Sequence, residues 1–162
     1  MYKQVALLIL WGILLTSCHQ NTTFDRYTAV PNGWPKKQTI RYQFNITDTI
    51  QNFDLFLNIR TTESYPFSNL FLIVNMHYPD GQIQKDTLEF LMANPDGTML
   101  GHGYTTTKEH KLWYRGHRKP FIFPQTGPYE ITIAHANREL GQIDGVELLN
   151  GVIDVGFSIE SK

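Results

Sequence analysis

The stretch TIRYQFNI, residues 39–46, alternates apolar and polar side chains without a break: Ile40, Tyr42, Phe44 and Ile46 against Arg41, Gln43 and Asn45. In an extended chain successive side chains point to opposite faces, so this segment predicts a strand with one buried and one wet face. The same period recurs in FDLFLNIR (residues 53–60), where Phe53, Leu55, Leu57 and Ile59 alternate with Asp54, Asn58 and Arg60. NLFLIVNM (residues 69–76) is apolar on both sides and predicts a central or doubly covered strand. DTLEFLM (86–92), the short aromatic KLWYR (111–115) and YEITIAH (129–135) continue the series. VIDVGFSIE (152–160) sets Ile153, Val155, Phe157 and Ile159 on one face.

Turn chemistry separates these runs. YPDG (78–81) and NPDG (94–97) place proline, aspartate and glycine where a turn needs a preset φ, a side-chain cap and a positive φ. They bracket one strand and predict successive hairpins. No helical period is sustained: REL and DGVELLNG allow one or two turns, and Gly141, Gly145 and Gly151 interrupt anything longer. Seven or more strands with close turns predict an all-β fold, an antiparallel β-sandwich over residues 38–162.

The amino-terminal residues have a different grammar. Lys3, an apolar run from Val5 to Leu15 and then small residues lead to Cys18, the single cysteine of the chain. A permanent span needs roughly 20 apolar residues, so residues 1–17 are read as a secretory signal peptide. LTSC (15–18) resembles the bacterial lipobox. That resemblance implies cleavage between Ser17 and Cys18, a diacylglycerol on the Cys18 thiol and acylation of the new amino terminus. Three acyl chains, at ~0.8 kcal/mol per buried CH₂, make such anchoring effectively permanent. Residues 18–37 hold Asn, Thr, Pro and Gly without a sustained period. They are read as the acylated terminus and a tether holding the domain off the bilayer, with an ordered lead-in near Trp34.

With Cys18 modified, no thiol remains for a disulfide or a soft metal site, and the core alone must stabilise the domain. The formal net charge of −1 gives no electrostatic case for nucleic acid. His102, His110 and His117 lack metal-site spacing and are read as surface residues, so no metal is expected. His135 falls beside Ile131 and Ile133 and is read as a hydrogen-bonded histidine at the core edge. The chain has no G-x-S-x-G elbow, no P-loop and no G-x-G-x-x-G, and its carboxylates are scattered. No catalytic residue is assigned, and no cofactor is expected beyond the covalent lipid on Cys18.

Aromatic residues are more informative. Trp34, Tyr104, Trp113, Tyr114 and Phe121 sit outside or between the clean strands, where rings stack on sugars, anchor an interface or complete a core. Trp113 and Tyr114 are adjacent and should face opposite sides. YRGHRKP (114–120) adds Arg115, Arg118 and Lys119, a solvated loop or a surface for anionic headgroups, lipopolysaccharide phosphates or an acidic partner. Trp113, Tyr114, Arg115, Arg118 and Lys119 form the candidate interaction surface.

Five ordered blocks carry a family resemblance: YPFSNLFLIVNMHYPDG (65–81), DTLEFLMANPDGTMLGHG (86–103), KLWY (111–114), GPYEITIAHANR (127–138) and GVIDVGFSIE (151–160). With the lipobox, they are similar to the gliding-motility lipoprotein GldH family of the Bacteroidetes. The resemblance implies a non-enzymatic envelope lipoprotein, an accessory component of surface gliding linked to the type IX secretion apparatus. It implies protein partners in the gliding or secretion machinery, membrane attachment through the lipid anchor and no catalytic residues. Only Cys18 carries over with a defined role. YRGHRKPFIFPQTG (114–127) is longer and more basic than the link expected there. HQNTT (19–23) has no acidic residue, which favours the periplasm-facing leaflet of the outer membrane, with the inner membrane second. The alternative expectation is a glycan-binding β-sandwich lipoprotein of the cell envelope.

Overall fold

The computed structural model describes residues 22–103 and 106–162; the signal peptide, Ser17, Cys18 and Tyr104 lie outside the described residues. The alternation that opens the core segment becomes a strand, with Ile40, Tyr42, Phe44 and Ile46 buried and Arg41, Gln43 and Asn45 exposed. In chain order the first strands are β1 (Thr22–Ala29), β2 (Trp34–Pro35), β3 (Ile40–Ile46), β4 (Phe53–Thr62) and β5 (Asn69–His77). They are followed by β6 (Ile83–Leu91), β7 (Thr107–Arg115), β8 (Gly127–His135), β9 (Leu148–Leu149) and β10 (Val152–Ser161). No helix occurs among the described residues.

Two four-stranded sheets, β1-β10-β4-β7 and β3-β8-β5-β6, pack as an antiparallel sandwich, and β2-β9 forms a small ribbon. Between the sheets lie Leu55, Leu57 and Ile59 of β4, Val155, Phe157 and Ile159 of β10, and Leu70, Leu72, Val74 and Met76 of β5, with Ile131 and Ile133 of β8. Phe44 is the aromatic hub: it stacks on Tyr129 at 5.8 Å and meets Phe24, Phe123 and Phe157 at 5.5–6.0 Å. Such pairs add about 0.5–1.5 kcal/mol each beyond simple burial.

Several expectations change. Of the tether expected over residues 18–37, the part that is described is not a free segment. From Thr22 to Ala29 the chain is β1, an edge strand paired antiparallel with β10. The chain then seals Trp34, which is fully buried, donates from Nε1 to the Gln38 carbonyl at 2.8 Å and sits edge-on to His135 at 5.3 Å. An edge strand buries only part of one face, so β1 lacks the alternation that reveals β3.

Outward-facing Asp54 and Asn58 of β4 are buried rather than wet. β4 is flanked on both sides, and Asn58 Nδ2 donates to Ser158 Oγ at 2.8 Å. β5 is central, as expected, but its outer face is half-buried and not covered by another layer. In β10 a bulge between Val152 and Asp154 puts Val152, not Ile153, in line with the core residues. After the second Pro-Asp-Gly turn the chain leaves β6 and joins β4 in the opposite sheet, so it makes no successive hairpin.

His135 is buried, but neither ring nitrogen is hydrogen-bonded; the Trp34 backbone is near enough to bear on its titration without meeting hydrogen-bond geometry. His110 is also buried, with Nε2 3.0 Å from Thr61 Oγ1, and is not the surface residue expected.

Two tests follow from this packing. Trp34→Ala should lower unfolding stability by about 3–5 kcal/mol in denaturant titration, the usual cost of emptying a core tryptophan site. A tryptophan in a free tether would leave the midpoint unmoved. Burial, then His102 and Lys108, push His110 down to about 4 from its ordinary 6.5, and burial also lowers His135. Both folded-state values lie below the unfolded ones, so stability is complete above about pH 6.5 and falls as the pH drops towards 4. His110 accounts for up to about 3 kcal/mol of that loss. Denaturant midpoints between pH 7.5 and 4.5 should show it, and His110→Gln should flatten the dependence.

Candidate functional site

β6 and β7 are edge strands of opposite sheets and lie along the same flank of the sandwich. Residues of β7 would ordinarily alternate in and out, but the register slips at Tyr114: Trp113 pairs with Phe56, and Arg115 pairs with Leu55. The extra residue turns Tyr114 and Arg115 towards β6 and leaves Trp113 on the outer face. Tyr114 OH donates to Asp86 Oδ2 at 2.8 Å, and Arg115 Nη2 donates to the same oxygen at 2.7 Å. Burial is the main reason the Tyr114 hydroxyl is held well above its ordinary pKa, so it stays a proton donor to Asp86. The arrangement ties the two sheets along their open flank.

Trp113 is 38% exposed. Its ring lies between Phe56 at 4.4 Å and His117 at 4.6 Å. Gly116, at φ 97°, lets the next loop cross the end of β4: a Cβ there would come within 2.3 Å of Asp54 Oδ1 and 2.5 Å of the Phe53 carbonyl oxygen. The loop then runs through exposed His117, Arg118 and Lys119 to Phe121, which bridges to Phe53. Neither Arg118 nor Lys119 makes an ion pair among the described residues.

The result is a groove of about 730 Å³, with Leu88 and Gln84 of β6 on one wall and Trp113, Arg118, Lys119 and Phe121 on the other. All the residues of the expected interaction surface line it. They are not equally available. Arg115 is neutralised by Asp86 and covers the rings of Tyr114 and Phe121 at 4.9 and 5.1 Å, whereas Arg118 and Lys119 are exposed and Trp113 is partly so. Asp86 and Leu88 were not singled out by the sequence, since they stand on a different strand and sheet.

A glycan-binding sandwich would present a row of exposed rings, and the described aromatics do not form one: Trp34 is fully buried, and Tyr114 and Phe121 are half-buried. The histidines do not converge either. His102 lies in an exposed loop, His110 faces Thr61, and His117 rests on Trp113. Among the described residues no group of His, Cys, Asp or Glu is arranged to hold a metal ion.

A second concavity, about 560 Å³, lies on the outer face of the β1-β10-β4-β7 sheet. Tyr27 reclines over Gly156, where a Cβ would come within 2.7 Å of its ring. From there its hydroxyl donates to Glu109 Oε1 at 2.8 Å, under the Arg60 guanidinium 4.5 Å from the ring centroid. Asn58 and Ser158 floor the cleft, and Lys111 pairs with Glu160 at its side. Burial, followed by the charges of Glu109 and Glu160, raises the Asp25 carboxyl above its ordinary value. Sequence periodicity could not find this cleft, because it is assembled across four strands.

The GldH lipoprotein family model matches residues 22–159. The gliding motility lipoprotein GldH of Flavobacterium johnsoniae is 44% identical over 160 residues, covering 99% of this chain and 98% of that protein. A gliding motility lipoprotein GldH homolog of Christiangramia forsetii is 39% identical over 150 residues, covering 93% and 90%. Among solved structures, a fructofuranosidase from Schwanniomyces occidentalis is 10% identical, with a TM-score of 0.41, over 91% of this chain and 35% of that one, a likeness too weak to argue from. The family match spans both sheets of the sandwich and the relatives align almost end to end: the chain belongs to the GldH lipoprotein family.

Proposed function

We propose that this protein is a non-enzymatic accessory component of gliding motility, linked to the type IX secretion apparatus and held in the cell envelope by acyl chains on Cys18. Its family and the names of its relatives support the motility role. The lipobox-like LTSC before Cys18 supports the anchor. The absence of an acidic residue in HQNTT supports the periplasm-facing leaflet of the outer membrane ahead of the inner membrane. The observation that carries docking is Trp113, a partly exposed ring packed on Phe56 and flanked by His117 at the wall of a groove. Tryptophan is among the residue types enriched at the hot spots of protein interfaces. The occupant is a protein of the gliding or secretion machinery that presents an apolar side chain to the groove between Trp113 and Leu88.

A second reading, glycan binding, draws support from the polar cleft around Tyr27, Asn58 and Ser158. Calorimetric titration with envelope polysaccharides tests it: heat that disappears in Asn58→Leu supports it, and no heat with the unsubstituted protein removes it.

For docking, the decisive experiment is chemical crosslinking in native envelopes followed by mass spectrometry of the attached proteins. Truncating a central interface tryptophan costs at least about 2 kcal/mol, roughly a thirty-fold loss of affinity. Trp113→Ala should therefore lose the crosslinked partner while the domain, destabilised by the lost ring contacts with Phe56 and His117, still unfolds cooperatively; undiminished recovery would contradict the groove as the docking site. Cys18→Ala should keep the fold but leave the membrane fraction; recovery there at the unsubstituted level would contradict the anchor.

A further inference from the structure

β1 begins at Thr22, four residues after Cys18. Even fully extended, that connection reaches at most about 14 Å. If Cys18 carries the anchor, as proposed above, the domain does not stand off the bilayer, and one end of the sandwich must lie at the headgroups. Which end is decided by register. Thr22 pairs with Glu160, and the Lys162 amide bonds to the Asn52 carbonyl oxygen, so β1 starts at the end built from the loops of residues 47–52, 78–82 and 116–126. Phe121 bridging Phe53, and Pro79 against Gly127, place the other two loops there as well.

That end has the composition of a membrane-resting surface. Ile50 is 85% exposed, Ile83 60% and Ile122 44%, and Arg118 and Lys119, which make no ion pair among the described residues, belong to one of the same loops. Apolar side chains enter the interfacial region while Lys and Arg meet anionic headgroups, each cation adding attraction near such a surface. Four acidic side chains share this end, and two of them are paired: Asp54 with Lys162 and Glu160 with Lys111. The other two, Asp48 and Asp80, are exposed and accept hydrogen bonds from the amides of their own turns. The opposite end, about 30 Å away along nine-residue strands, also exposes apolar residues, Leu140 and Ile143. There the carboxylates Glu139, Asp144 and Glu147 are balanced by Lys36, Lys37 and Arg138, with Lys36 paired to Glu147, so that end has no excess of cations, and the short connection from Cys18 does not reach it.

We infer that the end of the sandwich carrying Ile50, Ile83, Ile122, Arg118 and Lys119 rests on the anionic phospholipid headgroups of the leaflet that holds the anchor. The inference rests on acylation of Cys18 and adds an orientation to it. In this orientation Arg118 and Lys119, at the lower lip of the groove, belong to the lipid surface. Trp113 and Leu88 remain for a protein partner that must itself approach at the membrane surface.

The chemistry of Cys18 supplies the test. Acylation consumes the only natural thiol, so a cysteine introduced elsewhere becomes the one free site for a polarity-sensitive dye. The full chain carrying Ile50→Cys, Ile122→Cys or Leu140→Cys would be expressed with its signal peptide, purified from membranes, labelled and reconstituted into vesicles. Vesicles containing phosphatidylglycerol should blue-shift the dye at positions 50 and 122 and raise its emission several-fold over detergent, with no change at position 140. Adding Arg118→Ser and Lys119→Ser, both exposed and without an ion pair among the described residues, should erase most of the difference between phosphatidylglycerol and phosphatidylcholine vesicles. An equal response at both ends, or a response only at position 140, would overturn the orientation. The unsubstituted chain reports on the anchor separately: dye uptake by it would show Cys18 unmodified and would remove the anchor itself.

Discussion

The antiparallel ladder between β1 and β10, running from Thr22 to Ala29, is the pairing on which the rest depends. It extends the β10-β4-β7 sheet by a strand and gives β10 a neighbour on each side. It also carries Phe24 into contact with Phe44, Tyr42 and Phe157 at 5.5–6.3 Å, so the flank where β1 lies over β3 is closed by aromatic packing. The same ladder sets Tyr27 over Gly156 and builds the outer cleft. Most consequentially, it makes the amino terminus of the domain a fixed point at one end of the sandwich.

The two flanks are closed by different physics. Where β1 faces β3, rings and aliphatic side chains exclude water, a contribution roughly proportional to the area buried and indifferent to salt. Where β7 faces β6, the tie is Asp86 held by Tyr114 and Arg115, half-buried and charge-assisted. Such bonds are strong while both partners are present and costly when one is lost, because the remaining charge is stranded. A flank closed by a few polar bonds leaves space between the strands, and the groove with Trp113 on its wall occupies that space. The fold and the candidate docking site therefore share one cause, the slipped register at Tyr114.

Strands that bury one whole face are legible in the sequence, because burial imposes the period of two; β3 and β8 are examples. The candidate surface is legible too, since an aromatic pair followed by a basic loop is a local feature of residues 113–119. Other features are hidden for definite reasons. An edge strand with mixed exposure, such as β1, has no period to display. A bulge moves the core position from Ile153 to Val152 without any marker in the residue types. Asp86 meets its partners 28 and 29 residues away across two sheets, and the outer cleft draws on four strands. No local pattern reports such meetings.

The claim that the segment after Cys18 is a structural strand rather than a leash is tested most directly by amide exchange, followed by NMR on the purified full chain. The ladder predicts that amides of β1 bonded to β10 exchange as slowly as those of the buried β4 strand on the other side of β10. Exchange across Thr22–Ala29 at the rate of an unstructured peptide would contradict it, and would return the domain to a free tether.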